Sequence, residues 1–357
     1  MTHLEITLER ALALRERGAL LVDARSPAEY AEATIPGAIN VPILDNTERA
    51  EVGTLYKQVG RQAARQRGVE LVAPKIPQLL AEIEVRRPAG LPVVVFCWRG
   101  GMRSKALTQF LELAGIPARQ LKGGHKVFRS LVCDFFERGA WGRLLVLRGL
   151  TGVGKTALLQ RLAADGYPVL DLEGLANHRG SAFGHLGLPP QPTQRMFEAL
   201  LWDALRRIPQ DGYAVTEGES RHIGRVALPL RLYRALQAEV SLWIDAPLET
   251  RVRNILADYP ARDSLREQFA APLCALKERC GRQTVEELLA LLERGAWEEL
   301  VRELMLRYYD PLYRHTFPAR RIEVAIEPES VGVPRLKAAI ATLLATPPAP
   351  VPDEQTD

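Results

Sequence analysis

Two short stretches of this 357-residue chain bring together residue types that can do chemistry. In Phe96-Cys97-Trp98-Arg99-Gly100-Gly101-Met102-Arg103-Ser104, a cysteine ends an apolar run and is followed by two glycines and two arginines. The thiolate is the nucleophilic form of cysteine, and a ring of backbone N–H groups with positive charge nearby favours it. Cys97, supported by Arg99, Gly100, Gly101 and Arg103, would therefore stabilise a persulfide-like anion or receive an anionic substrate. The competing reading is a buried strand cysteine, the fate of most free thiols. The second stretch, Gly149-Leu150-Thr151-Gly152-Val153-Gly154-Lys155-Thr156, has the spacing Gly, four residues, Gly-Lys-Thr. That is the phosphate-cradling loop pattern, in which glycines let backbone N–H groups turn inward at a helix N-terminus. Gly149, Thr151, Gly152, Gly154, Lys155 and Thr156 are the candidate diphosphate contacts. Lys155 reaches terminal phosphoryl oxygens, and Thr156 can hold Mg²⁺ where a metal takes part.

Three weaker signals surround them. Cys97 and Arg103, five residues between, also fit a cysteine-phosphatase loop, although Phe96 stands where a histidine is usual there. The segment Leu172-Glu173-Gly174-Leu175-Ala176-Asn177-His178-Arg179-Gly180-Ser181-Ala182-Phe183-Gly184 places His178, Arg179 and Ser181 among three glycines. Such a loop can approach a phosphate or a base, or can simply be solvated. Glu217 and Glu219 read equally as metal- or water-facing carboxylates and as a solvated turn. No residues with metal-ligand spacing suggest a resident metal centre.

These residues need strands to carry them. Apolar runs at 19–23, 92–96 and 119–121 alternate with helical patterns at 6–17, 104–113 and 127–138. A second series follows: strands at 143–147, 168–171, 213–216, 240–245 and 321–326, with helices at 155–164, through much of 264–312, and at 333–344. Strand–helix alternation of this kind argues an α/β chain with parallel sheets. The expected domains are 5–138 and 139–345, followed by a Pro-rich, disordered tail at 346–357.

Composition excludes several classes. The chain is 47% apolar and 25% charged, with 47 basic against 43 acidic residues, so it has the make-up of a globular protein and not of a disordered one. No apolar run approaches the roughly 18–20 residues of a membrane span. The sequence begins without a basic stretch and apolar core, so no secretory signal is expected. Four scattered cysteines rule out a disulfide framework, and a reducing cytoplasm fits. Lys57, Arg61 and Arg65 are spaced four apart, which predicts one basic helix face for a nucleic-acid backbone or for solvent.

Residues 23–30, Asp23-Ala24-Arg25-Ser26-Pro27-Ala28-Glu29-Tyr30, with Ile35-Pro36-Gly37-Ala38-Ile39-Asn40-Val41-Pro42, are similar to the N-terminal signature of rhodanese domains. Cys97 falls at that family's sulfur-carrying position. A rhodanese-like parallel-sheet domain followed directly by a P-loop, nucleotide-kinase-like α/β domain with helical additions resembles the tRNA 2-selenouridine synthase family. The stretch Glu48-Arg49-Ala50-Glu51-Val52-Gly53-Thr54-Leu55-Tyr56-Lys57, the Cys97 loop, the P-loop, residues 172–184 and Glu217-Gly218-Glu219-Ser220 all resemble that family's stretches.

The resemblance implies a cytoplasmic transferase acting on wobble 2-thiouridine in the tRNAs for Lys, Glu and Gln. The sulfur is geranylated from geranyl diphosphate, and selenium from selenophosphate then replaces the geranylated sulfur. Selenophosphate synthetase is the implied source of the selenium donor. On this reading Cys97 carries selenium, the P-loop takes the diphosphate, and Phe183, Leu186 and Leu188 are expected to line a slot for the tail. Lys57, Arg61 and Arg65 are expected to touch the tRNA, and no tightly bound cofactor is expected beyond Mg²⁺ at the P-loop. The alternative is an ATP-dependent kinase or ATPase fused to a sulfurtransferase or cysteine-phosphatase module, without tRNA.

Overall fold

A computed structural model describes residues 4–259, 263–313, 317–327 and 329–348; the tail from 349 onward lies outside the described residues. The chain divides into two compact units, one reaching Arg138 and the other beginning at Gly139, with Glu198–Leu200 grouped with the first.

In the first unit, strands β1 (Glu5–Ile6), β2 (Leu21–Asp23), β3 (Ile39–Asn40), β4 (Val93–Phe96) and β5 (Ala118–Leu121) form one sheet in the order β1-β5-β4-β2-β3. Every pairing is parallel. Central β4 reads Val-Val-Val-Phe and is buried at all four positions. A continuous β-branched run is what a strand covered on both faces requires. Its neighbour β2 ends on Asp23, whose carboxylate is bound by the buried Arg25 guanidinium (Nη2···Oδ2 2.6 Å) and by the Thr34 hydroxyl (2.9 Å). This pair fixes the turn after β2 from inside the unit.

The second unit has β6 (Arg143–Gly149), β7 (Val169–Leu170), β8 (Tyr213–Glu217), a short antiparallel pair β9 (His222–Ile223) and β10 (Val226–Ala227), then β11 (Ser241–Asp245) and β12 (Arg321–Ala325). Its parallel five-stranded sheet runs β12-β11-β6-β8-β7. Leu145, Leu147, Val215, Leu242 and Ile244 from three adjacent strands pack with Leu158, Leu159, Leu162 and Leu336 in one core. A separate apolar cluster joins Phe269, Leu273, Leu288, Trp297, Leu300 and Leu304 within a helical addition that lies between β11 and β12 in sequence.

The structure differs from the sequence expectation at two places that matter. Ile6 does not begin the first helix: Glu5 and Ile6 pair with Gln120 and Leu121 at the sheet edge, and Thr7 caps the helix Leu8–Glu16. Nor do Lys57, Arg61 and Arg65 share a helix. Lys57 belongs to Asn46–Gln58, while Arg61 and Arg65 belong to Arg61–Val72. Gly60, at φ +127°, breaks the run between them, a conformation that costs glycine little and other residues much. All three side chains are exposed.

Candidate functional site

Cys97 leaves β4 at the carboxyl end of its sheet, with β2 and β5 on either side. Ligand sites of open parallel sheets form at these ends. The chain then curls around the sulfur. The Gly101 N–H donates to Cys97 Sγ (3.2 Å), and Ser104 Oγ lies 3.2 Å from it on the first turn of the helix Met102–Leu113. Gln120, on β5, donates from Nε2 to Ser104 Oγ (3.0 Å) and to the Gly100 carbonyl (2.7 Å). The Ser104 hydroxyl proton is therefore left for the sulfur or for the Gly101 carbonyl at 3.3 Å.

The loop's first carbonyls are held from behind. His125 N–H donates to the Cys97 carbonyl (2.8 Å) and Lys126 N–H to that of Trp98 (2.9 Å). This approach depends on Gly124: its φ is +59°, and a Cβ there would lie 2.1 Å from the Cys97 carbonyl oxygen. Ser104, Gln120 and Gly124 are contributions the motif alone did not single out.

Cys97 is buried, whereas Arg99 is exposed at the tip of the loop. Arg103, expected as positive charge for the sulfur, also holds a carboxylate. Both of its terminal nitrogens pair with the Glu29 carboxylate. Burial works against the charge on Glu29, but the Arg103 hydrogen bonds and charge outweigh it and hold the carboxyl at about 2. Arg103 thus anchors the loop to the helix Pro27–Glu32, and its charge acts on Glu29 first and also on Cys97.

In the second unit, Gly149 ends β6, and the P-loop leads into the helix Lys155–Ala164, with Gly154 in the left-handed region at its N-terminus. Gly149, Thr151, Gly152, Gly154, Lys155 and Thr156 all line a cavity of about 880 Å³. The loop is clasped from the helix Leu248–Asp258: Arg251 Nε donates to the Thr151 carbonyl (2.8 Å), and Asn254 Nδ2 to the Gly152 carbonyl (2.8 Å). Arg251 is itself buried and fixed by Asp310 (Nη1···Oδ2 3.0 Å). Carbonyls held on the helix side favour N–H dipoles on the cavity side, which an anion needs.

Carboxylates face this cradle. The Thr156 hydroxyl donates to Glu173 Oε2 (3.1 Å), and Glu173 shares a hydrogen bond with Glu219. Burial, and then the charge of Glu219, push Glu173 up to about 8, against the pull of Lys155. Burial also raises Glu219, again with Lys155 opposing. Glu217 sits deeper, where burial pushes it well above the carboxylate range, and its Oε1 accepts the Glu173 N–H (2.6 Å). Of the residues expected here, Arg179, Ser181 and Glu219 line the cavity; His178 and Glu217 do not. His178 is packed closely against Gly184 and Gly224, and burial, then the neighbouring His185 and Arg179, lower its pKa. Glu173 is the carboxylate that sequence reasoning missed, although it stands in the glycine-rich stretch noted there.

Among the described residues no cluster of three or more His, Cys, Asp or Glu side chains is arranged to hold a metal ion. Thr156 and Glu173 nevertheless supply adjoining hydroxyl and carboxylate oxygens, the donor type that Mg²⁺ prefers when phosphates complete its shell.

The raised pKa of Glu173 has a direct consequence. A carboxyl whose folded pKa lies above its unfolded value, here about 8 against 4.5, stabilises the fold fully at low pH and loses that contribution as pH rises through about 8. In Mg²⁺-free buffer, urea midpoints of the wild type should fall between pH 5 and pH 8.5. Glu173→Gln should flatten the decline, and an equal slope in both proteins would remove Glu173 as its source.

Comparison with known proteins agrees with this two-part arrangement. Residues 7–131 match the model of rhodanese-like domains, and residues 142–333 match that of the tRNA 2-selenouridine synthase AAA domain. The tRNA 2-selenouridine synthase of Nitrosomonas europaea is 34% identical over 90% of this chain and 95% of its own length. Those of Chromohalobacter salexigens and Bdellovibrio bacteriovorus are 36% and 34% identical, each over 85% of this chain and 89% and 90% of their own lengths. With two domain models in the same order and relatives matched almost end to end, the chain belongs to the tRNA 2-selenouridine synthase family.

Proposed function

We propose that this chain is a tRNA-modifying transferase that converts wobble 2-thiouridine to 2-selenouridine in two steps, one at each cradle. In the first, the thiocarbonyl sulfur attacks C1 of geranyl diphosphate, the C–O bond breaks, diphosphate leaves and the uracil loses its N3 proton. In the second, the selenium of selenophosphate attacks C2, geranylthiol leaves with a proton, and water cleaves the Se–P bond to release phosphate, so one chalcogen replaces another without change of oxidation state. Cys97 receives the selenium donor at this step, with Gly101 N–H and Ser104 facing its sulfur. The substrates are the Lys, Glu and Gln tRNAs, and selenophosphate synthetase supplies the selenium donor.

The observation that carries this reading is the P-loop cavity. Its cradle residues share one space with Phe269, Leu273, Trp297, Leu300 and Leu304, so a diphosphate bearing an apolar group matches both walls. Lys155 and the loop N–H groups would stabilise the charge that develops on the leaving diphosphate. When Mg²⁺ is bound, Thr156 and Glu173 would hold it, and it would neutralise phosphate charge. The family relatives, each named tRNA 2-selenouridine synthase, support tRNA as the substrate.

The test is nucleoside mass spectrometry on bulk tRNA from a strain lacking its own synthase and carrying this chain. 2-Selenouridine should appear, with S-geranyl-2-thiouridine accumulating when selenium is withheld. Its absence, together with steady ATP hydrolysis by the purified protein, would favour the kinase or ATPase alternative.

For tRNA contact, Arg61 and Arg65 still lie one turn apart on an exposed helix face, and Lys57 stands on the preceding helix. If all three reach phosphates, Lys57→Ala, Arg61→Ala and Arg65→Ala together should weaken tRNA binding. They should also reduce the slope of log K against log salt by about 2–3, at roughly 0.7–0.9 per contact. Filter binding across a salt series measures both, and an unchanged affinity and slope would move the tRNA elsewhere.

A further inference from the structure

The cavity beside the P-loop has a shape that speaks to which tail it takes. Its apolar wall begins at the cradle: a Cβ on Gly152 would lie 2.8 Å from Met305 Cε, so the Met305 side chain rests on the loop that holds phosphate. From there the wall follows a single helical run back along the chain, through Leu304 and Leu300 to Trp297. Met305 opens a stretch of π-helix, Met305–Tyr309, a geometry that recurs at functional sites because it re-aims side chains. At the other end Trp297 packs edge-on against Phe269 (centroids 5.3 Å apart), and Phe269 stacks on Phe183 (5.7 Å).

The spacing can be converted to a length. Met305 lies eight positions after Trp297, about 12 Å at ~1.5 Å of rise per residue. An extended geranyl chain, built from ~1.5 Å C–C bonds, is about 9 Å long, and a farnesyl chain about 14 Å. The first is shorter than this rise and the second is longer. The volume of about 880 Å³ has room for a prenyl tail together with its diphosphate.

We infer that Trp297, backed by Phe269, is the floor that measures the isoprenoid tail, so that the helical addition makes this P-loop selective for a ten-carbon prenyl diphosphate. The inference rests on the reading that a prenyl diphosphate occupies the P-loop. Leu186 and Leu188, expected at the tail slot from their place in the sequence, are not on the cavity wall; Phe183 is. Leu186 is instead buried in the same apolar cluster as Trp297, behind the surface the tail meets.

The test is calorimetric binding to the full chain of inorganic diphosphate, geranyl thiodiphosphate and farnesyl thiodiphosphate. The wild type should bind the geranyl compound more tightly than the farnesyl. Trp297→Ala should shift that ratio toward farnesyl by about tenfold or more, with diphosphate affinity unchanged. Phe269→Leu, which keeps the site apolar, should shift it in the same direction and guards against misfolding of the first variant. Leu304→Phe, close to the cradle, should weaken both tails and spare diphosphate. If both prenyl compounds bind better than diphosphate but neither floor variant alters their ratio, the floor is wrong and the P-loop reading stands. If neither tail adds affinity over diphosphate in the wild type, both fall.

Discussion

Cys97→Ala protein should form no detectable 2-selenouridine, yet should convert 2-thiouridine tRNA to its S-geranyl form at close to the wild-type rate. In the proposed scheme only the selenium step uses the protein's thiol, and the sulfur that attacks geranyl diphosphate belongs to the tRNA. The two cradles lie in different compact units, which is what allows one step to be lost alone. The substitution removes one sulfur from a buried pocket and leaves the Gly101 and Ser104 backbone to the loop's own hydrogen bonds, so the fold should persist. The measurement feeds the variant each substrate in turn and quantifies both nucleosides. Normal selenouridine formation would remove Cys97 from the chemistry, and equal loss of both steps would point to damage beyond the loop.

Lys155→Ala should produce the complementary defect. It removes the cation of the P-loop from the cavity proposed to hold the diphosphate. By analogy with the loss of a single oxyanion donor, the geranyl step should slow by about a hundredfold, on the order of 3 kcal/mol of transition-state stabilisation. Selenation of tRNA that has been geranylated beforehand should proceed almost normally. A second effect is expected in the same variant: Lys155 opposes the raised pKa of both Glu173 and Glu219, so without it each carboxyl should hold its proton to higher pH. A strict ATP requirement for geranylation by the wild type would count against this assignment.

Both cradles were legible because each is a contiguous motif between a strand and a helix, where local sequence dictates backbone path. Residues 93–96 and 143–149 are strands in the structure as β-branched and apolar runs suggest, and the loops that follow them turn where the glycines stand. What sequence could not show were partners that arrive from far along the chain. Glu173 meets Thr156 from 17 residues away, and Arg251 reaches the Thr151 carbonyl from 100. Proximity in sequence puts the proposed tail slot near residues 183–188. The apolar wall of the P-loop cavity comes mainly from 269–309, where apolar residues at helical spacing look the same whether they line a cavity or fill a core. The basic stripe failed for a different reason. A spacing of four has meaning only within one helix, and Gly60 ends the first helix and begins another.

Both loops have their carbonyls tied down by neighbours, His125 and Lys126 in one unit and Arg251 and Asn254 in the other. The consequence is entropic. Fixing the backbone of one residue costs roughly 1–2 kcal/mol, and a loop that had to freeze around its anion would draw that cost from affinity at every residue. Here folding has already met it. An anion entering either loop finds dipoles set in place, so its arrival should be governed by diffusion and charge, and discrimination between anions should lie in how fast each one leaves.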